Sequence, residues 1–260
     1  MEFEFEKYHG TGNDFILIND DSKKFPITDF NKIKFLCDRK FGIGSDGLIV
    51  LRKHEKFDFE MFYFNSDGAE GSLCGNGSRC AIAYGINNGF LNDNVVFKAI
   101  DGVHYAKAES NNIFSMSFKD LKSIERNRNS SFLNTGSPHH VELVQNLDNI
   151  NVKERGSLIR HGTKYKKEGV NVNFIEIMGP NKIKLRTYER GVEDETLSCG
   201  TGAVASSIAA HFLKLIKVDK IKVQTLGGTL EVKFKFDSDL YKDICLKGPA
   251  KKVFSGKIKW

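Results

Sequence analysis

Two cysteines in this chain open the same four-residue phrase, Cys74-Gly75-Asn76-Gly77 and Cys199-Gly200-Thr201-Gly202, and each phrase runs into small and apolar residues with helical spacing. Tyr63 and Tyr188 each lie eleven residues before their cysteine, and Glu70 and Glu195 each lie four before. Matched spacing at three chemically different residue types points to an internal duplication. A duplicated chain is expected to fold as two similar halves, each burying its own apolar helix. A thiol at a helix start faces backbone N–H groups without carbonyl partners and the positive end of the helix dipole, which favour thiolate over thiol. Two such thiols suggest a pair of acid/base groups.

The remaining composition narrows the class. A length of 260 residues with 40% hydrophobic content allows one large or two ordinary domains with real cores. The formal charge of +6 arises from 39 basic and 33 acidic residues interspersed along the chain, with no long basic run and no nucleic-acid motif, so a solvated mixed-charge surface is expected and a nucleic-acid partner is not. The start, Glu2-Phe-Glu-Phe-Glu-Lys7, alternates like a strand where a signal peptide would be basic and then apolar. The best apolar stretch, Ala203 to Ile216, is interrupted by His211 and Lys214 and falls short of the roughly 20 residues that span a bilayer. A soluble, cytoplasmic protein without membrane partners is therefore expected. The five cysteines include no Cys-x-x-Cys pair, which favours reduced thiols over a disulfide framework or a zinc ribbon. Cys37, Cys80 and Cys245 lack the Gly-x-Gly phrase and are expected to be inert and buried. Cys80, six residues past Cys74, points about 240° away around a helix.

Short runs rich in Phe, Ile and Val between Gly, Asn and Asp predict strands at Phe3–Tyr8, Phe15–Ile18, Leu48–Leu51, Phe59–Phe64, Val95–Ala99, Phe114–Phe118, Val141–Val144, Val172–Ile177, Ile183–Tyr188, Ile221–Thr225, Leu230–Phe236 and Lys252–Ile258. Helical spacing predicts Asn31–Lys40, Cys74–Asn88, Val152–Arg160 and Cys199–Lys217. The expected fold class is α+β, in two pseudo-symmetric halves, each a sheet wrapped around one helix. Ala81, Ile82, Ala83 and Ile86 in one helix, and Ala203, Ala205, Ile208, Ala209 and Phe212 in the other, supply the buried surface. The polar segment Ser123–Ser131 is the expected crossing between halves. The domains are accordingly drawn at 1–120, joined by the last strand at about 251–260, and at 121–250.

Other motifs are weaker. Gly42-Ile-Gly44-Ser-Asp-Gly47 spells the dinucleotide fingerprint, but it follows a helix-like segment and precedes a strand, the reverse of the required context, so no cofactor is expected there. His9-Gly-Thr-Gly-Asn13-Asp14 lies between the first two strands and reads equally as a hairpin turn or as part of a site. The seven histidines form no zinc pattern, and no metal is expected. His139, after the Gly136-Ser-Pro turn, is the most suggestive of them.

If the halves face one another, both sulfurs flank one cleft and both helix starts point amides into it, as a carboxylate requires. That arrangement suits inversion at a carbon next to a carboxylate, where one group removes the proton from one face and another delivers a proton to the opposite face. A thiol with its pKa lowered from about 8.5 serves in either state near neutrality. The amides stabilise charge developing on the carboxylate, so no pyridoxal lysine is required.

Along essentially its whole length the chain resembles the diaminopimelate epimerases, cofactor-independent enzymes of lysine and peptidoglycan synthesis. The resemblance rests on His9-Gly-Thr-Gly-Asn-Asp-Phe15, Phe64-Asn-Ser-Asp-Gly68, Cys74-Gly-Asn-Gly-Ser-Arg-Cys80, Gly136-Ser-Pro-His139, Val170-Asn171, and Glu189-Arg190-Gly191 leading into Cys199-Gly-Thr-Gly-Ala203. It implies epimerisation of LL-2,6-diaminopimelate to the meso form, with Cys74 and Cys199 as the two acid/base residues. His139 and Glu189 resemble the groups that assist their proton transfers. Asn13, Asn65, Asn171 and Arg190 resemble positions that hold the substrate, Arg190 being suited to a bidentate grip on the distal carboxylate. The amides of Gly75, Asn76, Gly200 and Thr201 are implied to hold the reacting carboxylate. The family also implies a homodimer.

The chain departs from the family pattern at Ser137, where many members carry Asn, at Val192–Asp194, which is one residue longer than in many, and at Gly47, where some carry Gln. The alternatives are a proline or hydroxyproline racemase, whose substrate has no second amino-acid centre to engage Arg190 and the three asparagines, and a thiol redox or metal-binding protein. The latter needs neither two glycine-rich helix starts nor a row of amide side chains.

Overall fold

A computed structural model of the chain describes residues 2–71, 73–110 and 112–259; Ser72, Asn111 and the two ends of the expected domain spans, Met1 and Trp260, lie outside the described residues. In chain order the elements are β1 (Glu2–Gly10), β2 (Asn13–Asn19), α1 (Phe30–Cys37), β3 (Gly47–Arg52), β4 (Phe59–Asn65), α2 (Gly75–Asn87), β5 (Asn94–Ala99), β6 (Gly102–Ser110) and β7 (Ile113–Ser117). There follow β8 (Ile124–Arg126), β9 (Ser130–Asn134), β10 (Pro138–Leu143), α3 (Val152–His161), β11 (Asn171–Gly179), β12 (Lys182–Glu189), β13 (Asp194–Thr196), α4 (Gly200–Phe212), β14 (Lys220–Thr225), β15 (Gly228–Asp237), β16 (Leu240–Pro249) and β17 (Lys251–Lys259). The architecture is sheet-dominated α+β.

The chain divides into two compact units, Met1–Met116 with Gly248–Trp260, and Ser117–Lys247. Their internal topologies repeat. In the first, β1–β2 is antiparallel, β2–β3 parallel, β3–β4 antiparallel, β4–β5 parallel, and β5–β6 and β6–β7 antiparallel. In the second, β9–β10, β10–β11, β11–β12, β12–β14, β14–β15 and β15–β16 pair in the same sequence of senses. The outer neighbour of β9 is β8, its own hairpin partner, whereas the outer neighbour of β1 is β17, from the far end of the chain.

Each unit buries one helix. Every residue of α2 from Gly75 to Gly85, and every residue of α4 from Gly200 to Ala210, is buried. Within its unit α2 lies against β1, β2, β3, β6 and β17, and α4 against β9, β10, β11, β12, β14 and β15. The small residues at these positions let the strands approach on all sides, and truncating a fully buried anchor such as Ile82 or Ile208 to alanine is expected to cost about 2–5 kcal/mol. Ile86 and Phe212 are only partly buried, because they lie where each helix leaves its sheet.

Several expectations are corrected. Ser123–Ser131 is no crossing: β8 and β9 form an antiparallel hairpin within the second unit, with Glu125, Arg126 and Asn134 exposed and Ser131 and Leu133 buried. Strands β6, β8, β9, β13 and β16 were not foreseen. The α4 helix stops at Phe212 rather than Lys217, because Lys214 takes a left-handed φ of 60° and the amides of Leu215 and Ile216 turn back to the Ala210 carbonyl. Cys37 and Cys80 are buried, but Cys245 is only partly so: its β16 neighbours Ile244 and Leu246 point into the core, leaving Cys245 on the opposite face.

The register also revises the duplication. Phe64 bridges to Glu70, and Tyr188 pairs with Glu195, so Tyr188 corresponds to Phe64, not to Tyr63. Tyr63 corresponds to Thr187 and Asn65 to Glu189. The equal eleven-residue spacings mislead because the loop after β12 carries one extra residue. That loop is well built: Glu193 adopts a left-handed φ of 56°, its N–H donates to Glu189 O, and its carboxylate accepts from the Tyr188 hydroxyl and the Gly191 N–H.

Candidate active site

The two cysteines do not begin their helices; they cap them. Cys74 and Cys199 hold extended backbone (φ −104°, ψ 112° and φ −119°, ψ 115°) at the N-cap positions of α2 and α4. The Gly77 N–H donates to Cys74 Sγ at 3.4 Å, and the Gly202 N–H donates to Cys199 Sγ at 3.3 Å. Sulfur takes the place that a Ser or Asp oxygen usually fills. Gly75 and Asn76, like Gly200 and Thr201, occupy the first two helical positions, where a helix supplies no carbonyl for its own N–H groups.

In the first unit the amide of Asn13 collects the site. Its Oδ1 accepts from Cys74 Sγ at 3.7 Å and from Asn76 Nδ2 at 3.2 Å, while its Nδ2 donates to Asp46 Oδ2 at 2.7 Å. The hairpin carrying Asn13 has Thr11 and Gly12 at its tip, both at positive φ (51° and 87°), with Gly10 paired to Asn13, so the motif is a hairpin turn, and that turn sets Asn13 beside Cys74. Beneath it lies Arg79, fully buried, whose Nη2 donates to Asn76 Oδ1 at 2.7 Å and whose Nη1 donates to Gly75 O at 3.1 Å. Burial lowers the Arg79 pKa to about 10, which leaves it charged at neutrality. Asn65 is held apart from this group, its Oδ1 accepting from the Tyr63 hydroxyl at 2.8 Å. The Tyr63 ring covers Gly47: a Cβ there would lie 2.7 Å from the ring and 2.6 Å from Phe64 O, which explains why no larger residue occupies that position.

Asp14, next to Asn13, ties the hairpin down. Lys7 Nζ and Arg39 Nη2 lie 2.8 and 2.7 Å from its carboxylate. Burial alone would raise its pKa, but the hydrogen bonds from Arg39 and Lys7 outweigh burial and hold it at about 2. The Gly42–Gly47 segment runs from α1 into β3, and Lys7 Nζ donates to the Gly44 carbonyl.

In the second unit Cys199 Sγ lies 3.4 Å from Thr201 Oγ1, and the Thr135 hydroxyl donates to Thr201 O at 2.9 Å. Asn171 Oδ1 accepts from the Arg190 N–H at 2.8 Å, and Arg190 Nη1 donates to Glu168 O at 2.8 Å. Glu189 Oε2 accepts from the Thr196 hydroxyl at 3.0 Å. His139 is fully buried, and burial, reinforced by the nearby Arg190 charge, pulls its pKa down to about 3. Its Nδ1 lies 3.0 Å from Asn173 Nδ2.

Each unit thus carries its own share of the expected set: Asn13, Asn65, Cys74, Gly75 and Asn76 in the first, and His139, Asn171, Glu189, Arg190, Cys199, Gly200 and Thr201 in the second. Asp46, Arg79, Asn173 and Thr187 were overlooked. The available signal was a polar residue inside an otherwise apolar element: Arg79 within a buried helix and Asn173 between Val172 and Phe174 of a buried strand. Among the described residues, no group of three or more His, Cys, Asp or Glu could hold a metal ion.

The family model for diaminopimelate epimerase matches residues 5–116 and 131–253, both half-sites included. The chain belongs to the diaminopimelate epimerase family. A diaminopimelate epimerase from Flavobacterium psychrophilum is 45% identical over 252 residues, covering 97% of this chain and 98% of that one. A second, from Chlorobaculum tepidum, is 38% identical over 96% of this chain and 98% of its own length. The fold extends beyond the diaminopimelate epimerase family: the crystal structure of a phenazine biosynthesis protein of the PhzF family from Bacillus anthracis superposes with a TM-score of 0.80 over the full length of both chains at 15% identity.

Proposed function

We propose that this chain epimerises LL-2,6-diaminopimelate to meso-diaminopimelate without a cofactor, using Cys74 and Cys199 as the two bases. The observation that carries the reading is the capping of both central helices by thiols in a member of the diaminopimelate epimerase family. One thiolate takes the α-proton, the electron pair is delocalised into the carboxylate held at the helix starts, and the other thiol returns a proton to the opposite face. The substrate's proton remains on the first sulfur, and the new one derives from solvent. With one group acting on each face of the carbon, the substrate need not turn over.

In this reading the amides of Gly75, Asn76, Gly200 and Thr201 hold the reacting carboxylate. Asn13, Asn65 and Asn171 bind the substrate, and Arg190 grips the distal carboxylate. His139 and Glu189 act beside the thiols. The enzyme works in the cytoplasm, an expectation carried by its sequence composition, and as a homodimer, an expectation carried by the family resemblance. The halves are the sequence spans 1–120, completed by the last strand, and 121–250.

Purified, reduced protein incubated with LL-diaminopimelate in deuterated water is expected to yield meso product carrying solvent deuterium at one Cα. Absence of both product and deuterium exchange would overturn the substrate assignment and direct the same assay to proline and hydroxyproline.

A further inference from the structure

The repeated register allows the two half-sites to be compared residue by residue. Phe15 pairs with Gly47, and Ile49 with Tyr63, across β2, β3 and β4; His139 pairs with Asn171, and Asn173 with Thr187, across β10, β11 and β12. Phe15, Ile49 and Tyr63 therefore stand where the second unit has His139, Asn173 and Thr187. Ile49 and Phe15 in the first unit, and Asn173 in the second, lie against the glycine three residues after the cysteine. A Cβ on Gly77 would meet Ile49 Cδ1 at 2.8 Å and the Phe15 ring at 3.4 Å; a Cβ on Gly202 would meet Asn173 Oδ1 at 2.5 Å and Cys199 Sγ at 3.2 Å. The first unit shows that an apolar group packs this position well. A polar group here carries a desolvation cost that packing does not require.

The polar group is oriented without ambiguity. Asn173 Nδ2 donates to the carbonyls of His140 and Asn171 at 3.1 and 3.3 Å, and Thr187 Oγ1 donates to Asn173 Oδ1 at 3.1 Å. Reversing the amide would set its oxygen against two carbonyls. The Nδ2 that faces His139 Nδ1 is thus a donor, and Nδ1 must accept. The imidazole proton is left on Nε2, which is buried and has no hydrogen-bond partner among the described residues. An orphaned buried donor costs about 1–3 kcal/mol and is retained where a ligand group answers it.

We propose that Asn173 is a positioning residue that holds His139 in the tautomer carrying its proton on Nε2, so that His139 serves as a fixed hydrogen-bond donor to the anionic centre of the reaction. This rests on the proposed epimerase reading for its purpose, but not for its geometry. The role is electrostatic: the N–H is in place before charge develops, and the imidazole neither accepts nor releases a proton. Besides Asn173, the charged group facing the ring is the Arg190 guanidinium, which further disfavours a second proton.

The test is read first on substrate-free protein, by ¹⁵N NMR of the histidine rings with His139→Phe identifying the signal. The expected pattern is an unprotonated Nδ1 and a protonated Nε2, unchanged from pH 6 to 8; a protonated Nδ1 would overturn the proposal. In Asn173→Ile the tautomer preference is expected to vanish and kcat to fall on the order of 10²-fold with KM much less affected. An unaltered ring spectrum and kcat in that variant would also overturn it. The double variant His139→Phe/Asn173→Ile, copying the first unit, is expected to fold with an unchanged far-UV spectrum yet to lack activity; full activity would sink the idea. Wild-type protein inert towards diaminopimelate would defeat the substrate assignment while leaving the tautomer to be decided by the spectrum.

Discussion

Arg79, wholly enclosed, donates from Nη2 to Asn76 Oδ1 at 2.7 Å, and this one bond sets the direction of a chain of amides. With Asn76 Oδ1 committed, its Nδ2 must donate to Asn13 Oδ1, and Asn13 Nδ2 in turn to Asp46. The guanidinium at one end and the carboxylate at the other orient every amide between them, and Cys74 shares the Asn13 oxygen. Replacing Arg79 with leucine is expected to cost about 2–4 kcal/mol, since Asn76 Oδ1 and Gly75 O both lose a charged donor in a buried place. Urea denaturation measures this. A change below about 0.5 kcal/mol, the range of ordinary surface substitutions, would show that water replaces the guanidinium.

Cys74→Ser and Cys199→Ser separate capping from chemistry. A hydroxyl is the better N-cap, so each variant is expected to be as stable as the parent or up to about 1 kcal/mol more stable. Each is expected to lose epimerisation by roughly 10²–10⁴-fold or more, because a serine hydroxyl is a far weaker acid/base group near neutrality. Proton exchange and thermal unfolding on the same preparations are the measurements. Substantial epimerase activity in either variant defeats the two-base assignment.

The helical glycines differ in what stands over them. At Gly202 the obstacle is the hydrogen-bonded Asn173 amide, whereas at Gly77 it is the flexible end of Ile49. Gly202→Ala is expected to cost about 1–3 kcal/mol despite the better helix propensity of alanine, and Gly77→Ala less than that. Equal losses in chemical denaturation would contradict the packing described.

Acid stability follows from His139 and Asp14. His139 has its pKa lowered from 6.5 to about 3 in the fold, so the unfolded chain takes up the proton first. Its stability contribution is complete above about pH 6.5 and is lost progressively as the pH falls towards 3. Asp14, lowered from 3.8 to about 2, contributes above about pH 4 and loses that contribution between there and pH 2. Urea midpoints between pH 7 and pH 4 are therefore expected to fall with pH in the parent, and less steeply in His139→Phe. Identical slopes would mean that His139 is not buried in its uncharged form.

Much of the site was legible because it is local. The Cys-Gly-x-Gly phrases announced helix starts with thiols at their mouths, and the His9–Phe15 motif combined turn residues with an amide. Strands such as β6 and β16 escaped because their Lys, Asp and Glu residues mask the alternation of buried positions, and the hairpin of β8 and β9 because its outward face is polar. Tyr63 and Tyr188 seemed equivalent by spacing, yet one sits on the Asn65 amide and the other reaches Glu193, since a single inserted residue shifts every side chain of a strand to the other face.

By itself the sequence determined the doubling of the chain, its sheet-rich character with one buried helix in each half, and the identity of the two capping thiols, because periodicity, capping and glycine conformations act over a few residues. Only the tertiary structure decided that β8 and β9 form a hairpin within the second unit, that Arg79 lies enclosed beneath Asn76, and that Asn173 aims its amide at His139. Those facts depend on strand register and on which polar groups are buried together, and both are set by contacts between residues far apart in the chain.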